Sequence, residues 1–241
     1  MTLSIVIPSY KGADSLRQEL PGLISWLKSN VDSFEIIIVD DGSDDKGATE
    51  KVVKENNCLF IGLARNTGKG GAVRAGMLSA KGDFRIFTDA DIPFELDAFE
   101  TFLHYLRDKE FQIAVGDRTL PESRYFAQIA GARKIGSNVF TFLVGRFVTT
   151  GLFDTQCGMK GFTAKVADDL FSVSRLNSFA FDVELLYIAL KRNYDIKRLP
   201  VRFRGTQDSS SVSLARHAPG MLADLFRIKL NHMRGLYNRR G

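Results

Sequence analysis

Two aspartates lie one residue apart where an apolar segment ends, in the letters FTDADIP at residues 87–93. Side chains at i and i+2 of a strand share a face, and two close carboxylates are costly unless a cation or hydrogen-bond donors lie between them. A hard divalent ion such as Mg²⁺ or Mn²⁺ takes one or two protein carboxylates, with water and diphosphate oxygens as its other ligands. Asp89 and Asp91 therefore predict a metal and diphosphate site. The alternative is a solvated turn, because aspartate is common in turns.

Three short apolar runs precede this pair, at residues 3–10, 34–39 and 58–63. Helical-period segments at residues 14–29 and 70–80 lie among them. Apolar runs that alternate with helices are typical of buried parallel strands in βαβ units. Because ligands bind at the carboxyl ends of the strands in open α/β sheets, we expect the polar residues that follow these runs to meet in one crevice.

A glycine-rich stretch, NTGKGGAVRAG at residues 66–76, follows the third run. It is not a Walker A motif, since five residues instead of four separate Gly62 from Gly68, and Gly70 replaces the required Ser or Thr. It is not a dinucleotide fingerprint either, because no G-x-G-x-x-G follows the first run. Two interpretations remain. The loop either offers Lys69, Arg74 and backbone N–H groups to a phosphate, or its glycines permit close packing.

The composition, 44% hydrophobic and 25% charged over 241 residues, is that of a globular protein with one large domain or slightly more. Cys58 and Cys157 lie far apart without metal-ligand spacing, which excludes a disulfide framework and favours a reducing compartment. Residues 1–10 lack the features of a signal peptide, and the stretch 135–153 is too interrupted for a membrane span.

The net charge of +5 lies entirely in the C-terminal segment, which from Arg216 onward holds six basic residues against Asp224 alone. Apolar residues recur there at spacings of three and four, which predicts a basic amphipathic helix. We therefore divide the chain into residues 1–215 and 216–241. The helix either attaches to an anionic membrane surface, with about 1 kcal/mol from each basic residue, or packs on the domain with a solvated basic face. No stacking platform or groove-reading motif indicates nucleic acid as a partner.

Six motifs occur in the order found in the family 2 glycosyltransferases of GT-A fold. They are PSY (8–10), VDDGS (39–43), the glycine-rich stretch (66–76), DAD (89–91), DTQCGMK (154–160) and FDVELL (181–186). Over residues 3–201 the chain resembles this family, most of all the dolichyl- or polyprenyl-phosphate β-glucosyltransferases and next the polyprenyl-phosphate mannosyltransferases. The resemblance implies an α/β GT-A (Rossmann-like) fold with a mostly parallel central sheet flanked by helices, and amphipathic helices at the C-terminus.

The resemblance also implies an inverting, metal-dependent transfer of a hexose from a nucleotide sugar to a polyprenyl or dolichyl phosphate, by a peripheral membrane protein at the cytoplasmic face. UDP-glucose is the favoured donor, and GDP-mannose is the alternative. A lipid phosphate is already an anionic nucleophile, so no general base is needed. Two other functions stay open: transfer to a saccharide hydroxyl, with Asp182 as the catalytic carboxylate, and nucleotide-sugar binding without turnover. Assembly into a homo-oligomer also stays open.

The resemblance to the family also implies roles for individual residues. The nucleotide-sugar set is Pro8, Ser9, Tyr10, Val39, Asp40, Asp41, Asn66, Lys69, Arg74, Asp89, Ala90 and Asp91. The catalytic set is Asp89, Asp91, Arg118 and Asp182, of which Asp91 is the more direct metal ligand and Asp89 the second. The acceptor-phosphate set is Arg118, Arg133, Lys134, Arg202 and Arg204. Asp182 either approaches the sugar or an acceptor loop, or caps a helix.

Three positions depart from the family pattern. Gly12 replaces an acidic residue two places after the tyrosine, and Pro93 stands where mannosyltransferases have a polar metal ligand. The letters DSSS at residues 208–211 replace a late Gly-Ser-Lys.

Overall fold

Strands and helices alternate along the chain, as the apolar runs predict. The computed structural model describes residues 1–124, 154–204 and 214–238. The strands are β1 (Leu3–Ser9), β2 (Phe34–Asp40), β3 (Leu59–Gly62), β4 (Phe84–Phe87), β5 (Ile113–Asp117), β6 (Lys160–Thr163) and β7 (Ile196–Pro200). The helices are α1 (Ala13–Asn30), α2 (Ala48–Glu55), α3 (Lys69–Ser79), α4 (Asp97–Arg107), α5 (Ala164–Val173), α6 (Phe181–Lys191) and α7 (Leu214–Met233).

The described strands form one seven-stranded sheet in the order β3-β2-β1-β4-β6-β5-β7. Only β6 runs against its neighbours, pairing antiparallel with β4 and β5, so the predicted mostly parallel α/β sheet is confirmed. The expectation that the third apolar run is a buried strand was wrong, because β3 is the edge strand and Leu59 is exposed.

Two apolar clusters cover the two faces of the sheet. Alternate side chains of a strand point to opposite faces, and in β1 Val6 joins one cluster while Ile5 and Ile7 join the other. The first cluster includes α3, α5 and α6, and the second includes α1 and α4. The buried strands therefore fix where the loops at their carboxyl ends lie.

Helix α7 begins two residues before the boundary expected at 216 and packs against α6. Ile228 is buried in the first cluster, and so is Tyr237 just beyond the helix. Three exposed apolar side chains, Phe226, Leu230 and Met233, lie on α7 as well. None of the described helices has the length and apolarity needed to cross a bilayer.

Candidate active site

The loops after β1 and β2 are joined at the carboxyl edge of the sheet. Asp40, the last residue of β2, accepts hydrogen bonds from the backbone N–H and the hydroxyl of Ser43, at 2.9 and 2.5 Å. The Ser43 hydroxyl oxygen also accepts the N–H of Lys11, at 2.7 Å. Asp40 therefore shapes the loop that follows β2 and ties it to the loop that follows β1.

Asp41 holds the glycine-rich stretch against β2. Its buried carboxylate accepts the Thr67 N–H at 2.7 Å, the Thr67 hydroxyl at 2.8 Å and the Gly68 N–H at 2.8 Å. Gly68 has a φ of +96°, a conformation that side-chain-bearing residues rarely adopt. The start of α3, and with it Lys69, is thus fixed beside the carboxyl ends of β1 and β4.

Lys69 reaches the aspartate pair. Its Nζ lies 2.5 Å from Asp89 Oδ1, so the glycine-rich stretch and the D-x-D motif meet, as their positions after strands predict. Burial lowers the pKa of Lys69, but Asp89, Asp182 and Asp91 outweigh that effect and the net pKa is raised. The pKa of Asp91 is raised because neighbouring atoms partly desolvate its carboxylate and because Asp89 is close.

The DTQCGMK segment closes over Asp89 from the other side. A Cβ atom added to Gly158 would lie 2.1 Å from Asp89 Oδ2, so a side chain here would displace the carboxylate. Two residues later, the fully buried Lys160 donates to Asp182 Oδ1 at 2.6 Å and to the Cys157 carbonyl at 2.7 Å. Charges therefore alternate from the sheet interior outward, from Lys160 through Asp182, Lys69 and Asp89.

The structure excludes Asp182 as a helix cap, and its approach to the sugar or to an acceptor loop stays a prediction. It lies in the first turn of α6, where Ala180 is the cap residue, so Asp182 is not the helix cap. Burial raises the pKa of its carboxyl group, against the effect of Lys160. Glu184 points elsewhere, as expected for a helix, and accepts the hydroxyl of Tyr237 at 2.7 Å. Asp182 is thus a buried partner of Lys160 that also attracts Lys69.

A divalent cation fits the pair of aspartates. Asp89 and Asp91 present oxygen ligands, and burial and the nearby like charge of Asp89 raise the pKa of Asp91, two effects that a cation between the carboxylates would oppose. Within the described ranges, no group of three or more His, Cys, Asp or Glu side chains is placed to hold a metal. Diphosphate and water oxygens would therefore supply the other ligands, the usual arrangement for Mg²⁺ and Mn²⁺.

The other residues of the predicted donor set differ in their accessibility. Tyr10 and Asn66 are exposed, and Ala90 is half-buried. Pro8 lies buried within β1, and Val39 is fully buried beneath α3, so the side chain of Val39 is not open to a ligand. The buried hydroxyl of Ser9 has no hydrogen-bond partner in the part of the chain that the structure describes.

Four of the predicted phosphate-binding arginines have protein partners. Arg118 makes a two-pronged ion pair with the buried Asp154, with contacts of 2.6 and 2.9 Å. Arg74 donates to the Ser174 carbonyl at 3.1 Å. Arg204 and Arg202 follow β7: Arg204 donates to the Ile92 carbonyl at 2.6 Å, and Arg202 is half-exposed, 4.0 Å from Glu95. Arg133 and Lys134 lie outside the described residues. Contact of these six side chains with phosphate stays a prediction.

Residues 4–171 match Glycosyl transferase family 2. The chain belongs to this family. It is 33% identical to the dolichyl-phosphate beta-glucosyltransferase of Dictyostelium discoideum, over 98% of this chain and 76% of that protein. It is 32% identical to the human dolichyl-phosphate beta-glucosyltransferase, over 98% of this chain and 77% of that protein.

Among solved structures, the fold is similar to that of glucosyl-3-phosphoglycerate synthase from Mycobacterium tuberculosis. One crystal structure of that protein contains Mn²⁺, UDP and glucosyl-3-phosphoglycerate. The TM-score is 0.70 at 17% sequence identity, over 94% of this chain and 79% of that chain. The GT-A fold is thus confirmed.

In this family 2 glycosyltransferase, three residues support the site although the sequence does not predict a role for them: Gly158, Lys160 and Asp154. All three lie in the DTQCGMK segment, which packs on the D-x-D motif and on Arg118. Lysine is rarely fully buried, so a position of Lys160 beneath the site could not be expected from its residue type. The available signal was a basic residue within residues 157–162, CGMKGF, which otherwise hold only apolar residues and glycine.

Proposed function

We propose that this protein transfers glucose from UDP-glucose to a dolichyl or other polyprenyl phosphate, with inversion, at a membrane surface. The observation that carries the proposal is the meeting of Lys69, Asp89 and Asp91 at the carboxyl edge of the sheet. The choice of sugar and acceptor is supported by the similarity of nearly the whole chain to dolichyl-phosphate beta-glucosyltransferases.

The donor half of the site is suited to a nucleoside diphosphate sugar. Asp89 and Asp91 would hold Mg²⁺ or Mn²⁺, which when bound offsets the charge that develops on the leaving diphosphate. Lys69 supplies a second positive charge on a flexible stem, at the start of α3, where backbone N–H groups also favour an anion. The buried Asp182 helps to keep this lysine protonated through the negative charge it carries when ionised.

The acceptor half of the site has to bind the lipid phosphate but does not have to take a proton from it. A lipid phosphate is already an anionic nucleophile, so the protein needs only to hold it in line with the anomeric carbon. Arg118, Arg133, Lys134, Arg202 and Arg204 remain the proposed acceptor-phosphate residues. Arg204 supports this assignment, because its contact with the Ile92 carbonyl brings the segment after β7 next to Asp91.

The outer face of α7 is suited to an anionic lipid surface. Phe226, Leu230 and Met233 are 78%, 39% and 75% exposed, and their spacing places them on one side of the helix, here called the α7 stripe. Lys229 and Arg234 are exposed beside it. We propose residues 1–215 as the catalytic domain and 216–241 as the attachment segment, which uses one face of α7 for packing and the other for the membrane.

Radiolabelled transfer to an extractable lipid tests the reaction. We expect label from UDP-glucose, and not from GDP-mannose, to enter dolichyl phosphate in the presence of Mn²⁺. Asp91→Asn should lower this transfer by about 100-fold or more while leaving the melting temperature unchanged, since an exposed carboxylate contributes little packing. Asp14→Asn, at an exposed aspartate of α1, is the matched control and should keep full activity.

Three results would contradict parts of the proposal. Preferred transfer from GDP-mannose would make the protein a mannosyltransferase. Label in a saccharide and not in lipid would indicate a hydroxyl acceptor. Asp91→Asn with activity within a few-fold of the unmodified protein would remove the metal assignment.

A further inference from the structure

The segment at residues 174–178, here called the 174–178 loop, connects α5 to α6 and packs on the glycine-rich stretch. The Gly70 N–H donates to the Asn177 carbonyl at 2.9 Å, and a Cβ atom at Gly68 would lie 2.5 Å from the same carbonyl oxygen. Arg74 donates to the Ser174 carbonyl and to the Asn177 side chain. The start of α3, which carries Lys69, therefore lies directly against this loop.

The same loop is held from behind by Glu184 and Tyr237. The fully buried Glu184 carboxylate accepts the N–H groups of Arg175 and Leu176 with Oε2, at 2.9 and 2.8 Å. Its Oε1 accepts the hydroxyl of Tyr237, at 2.7 Å. Burial raises the pKa of Glu184, against the effect of these three hydrogen bonds. Tyr237 is therefore one hydrogen-bonded residue away from the backbone of the 174–178 loop.

A second contact joins the loop to α7 itself. Ser178 donates to Asp224 Oδ2 at 2.6 Å, and Asp224 is buried although it lies on a helix with exposed neighbours. Asp224 and Tyr237 belong to the segment that the sequence assigned to attachment, outside the catalytic domain. Neither residue is in the predicted donor site, yet Asp224 binds the loop that supports it directly, and Tyr237 binds that loop through Glu184.

We propose that Asp224 and Tyr237 are positioning residues for the donor site. Through Ser178 and Glu184 they hold the 174–178 loop, and this loop holds the start of α3 so that Lys69 faces the aspartate pair. The inference rests on the proposed function, because it identifies Lys69 with the donor diphosphate. It assigns to the C-terminal segment a role in donor binding, separate from attachment to a surface.

Tyr237→Phe tests the link by removing one hydroxyl. Tyr194→Phe is the matched control, because the Tyr194 hydroxyl also donates to a carboxylate, that of Asp169 at 2.5 Å, and Asp169 lies on α5, before the 174–178 loop. Amide hydrogen exchange, measured without any ligand, reports on the loop directly. We expect faster exchange at Leu176 and Gly70 in Tyr237→Phe and not in Tyr194→Phe, at similar melting temperatures.

Calorimetric titration with UDP and Mn²⁺ then measures the effect on donor binding. The dissociation constant for UDP should rise by about three- to tenfold in Tyr237→Phe, the loss expected for one hydrogen bond to a carboxylate acting at a distance, and stay unchanged in Tyr194→Phe. The Michaelis constant for the lipid phosphate should not move. Asp224→Ala should reproduce the weaker UDP binding, with Arg227→Ala as its control, since Arg227 pairs with Asp224 but does not contact Ser178.

The outcomes test the positioning role of Asp224 and Tyr237 separately from the proposed function. Unchanged exchange at Leu176 and Gly70 in both Tyr237→Phe and Asp224→Ala overturns the link, whatever the protein binds. Faster exchange with unchanged UDP affinity also overturns it, as does an equal loss of affinity in the control variants. An unmodified protein that binds no UDP overturns the proposed function together with the role of Lys69 that this inference needs.

Discussion

Asp89 lies among three groups that leave its carboxylate little freedom. Lys69 contacts Oδ1, and Asp91 repels the carboxylate as a like charge. The backbone of Gly158 lies so close to Oδ2 that no side chain would fit between them. A ligand carboxylate that is held on several sides needs little reorganisation when a cation and a diphosphate bind. The geometry of Asp89 is therefore as important to the site as its charge.

Gly158→Ala should disturb this geometry without unfolding the protein. The new Cβ would lie 2.1 Å from Asp89 Oδ2, so the end of the aspartate side chain must rotate away or the turn before β6 must shift. Because the clash is with the end of a side chain and not with the backbone, we expect a small change in melting temperature. The affinity for UDP with Mn²⁺ should fall by about tenfold or more, as measured by calorimetry.

Gly22→Ala is the control for this substitution. Gly22 lies in α1 with no atom within 4 Å of the added Cβ, so alanine should stabilise the helix by about 0.5 to 1 kcal/mol and leave UDP binding unchanged. Gly158→Ala with full affinity for UDP would show that Asp89 is not held as we describe.

At the level of elements, the sequence predicts the strands and helices that have a local pattern of apolar residues. It does not predict the features that depend on pairing with distant parts of the chain. The apolar runs and helical periods place β1, β2, α1 and α3 within a few residues, since burial on a sheet sets those periods. The direction of β6 was not predictable, because a four-residue strand has no period of its own and its pairing is fixed by β4 and β5.

The same limit applies to charged side chains. The place of Asp89 and Asp91 at the carboxyl edge of the sheet could be predicted, because both residues follow a strand and ligand sites of α/β sheets lie at that edge. The partners of Arg118 and Lys160 could not be predicted. Asp154 is 36 residues from Arg118 and Asp182 is 22 residues from Lys160, so only the fold brings each pair together.

Lys160→Met should be strongly destabilising, because it leaves Asp182 buried without its cation. Removing one partner of a buried ion pair costs about 3 to 5 kcal/mol, and urea-induced unfolding should show a loss of that size. Replacing both partners, as Lys160→Met with Asp182→Leu, should recover most of the lost stability, since no unpaired charge is then buried.

Lys165→Met, at an exposed position of α5, should change the unfolding free energy by less than about 0.5 kcal/mol. A single Lys160→Met variant that is as stable as this control, or a double variant no more stable than the single one, would mean that the pair is not the source of stability at this position.

Over the whole molecule, the C-terminal helix packs on the domain, as one of the two interpretations of its sequence predicts, and its attachment to a membrane surface stays a prediction. Ile228 and Phe226 are two residues apart and therefore about 200° apart around a helix, so one is buried and the other is exposed. The apolar residues occur on both sides of α7, and for that reason a periodicity argument could not tell whether the helix packs or binds a surface. The structure shows one face packed on α6 and the α7 stripe exposed.

Replacing the α7 stripe should separate attachment from catalysis. The triple variant Phe226→Ser, Leu230→Ser and Met233→Ser removes apolar surface that is already exposed, so the melting temperature should stay the same. Each of these side chains can contribute about 1.5 to 3 kcal/mol when fully buried in a lipid interface. Co-sedimentation with vesicles of phosphatidylcholine and phosphatidylserine should therefore fall by at least tenfold.

Transfer to dolichyl phosphate in such vesicles should fall with binding, while transfer to a short, water-soluble prenyl phosphate should be unchanged, because the stripe is not part of the proposed phosphate site. Leu78→Ser, at another exposed leucine, is the control and should affect neither. High salt should weaken binding of the unmodified protein, since Lys229 and Arg234 act by charge and are screened. A triple variant that still binds vesicles as the control does would place the membrane contact elsewhere on the protein and remove the attachment role of α7.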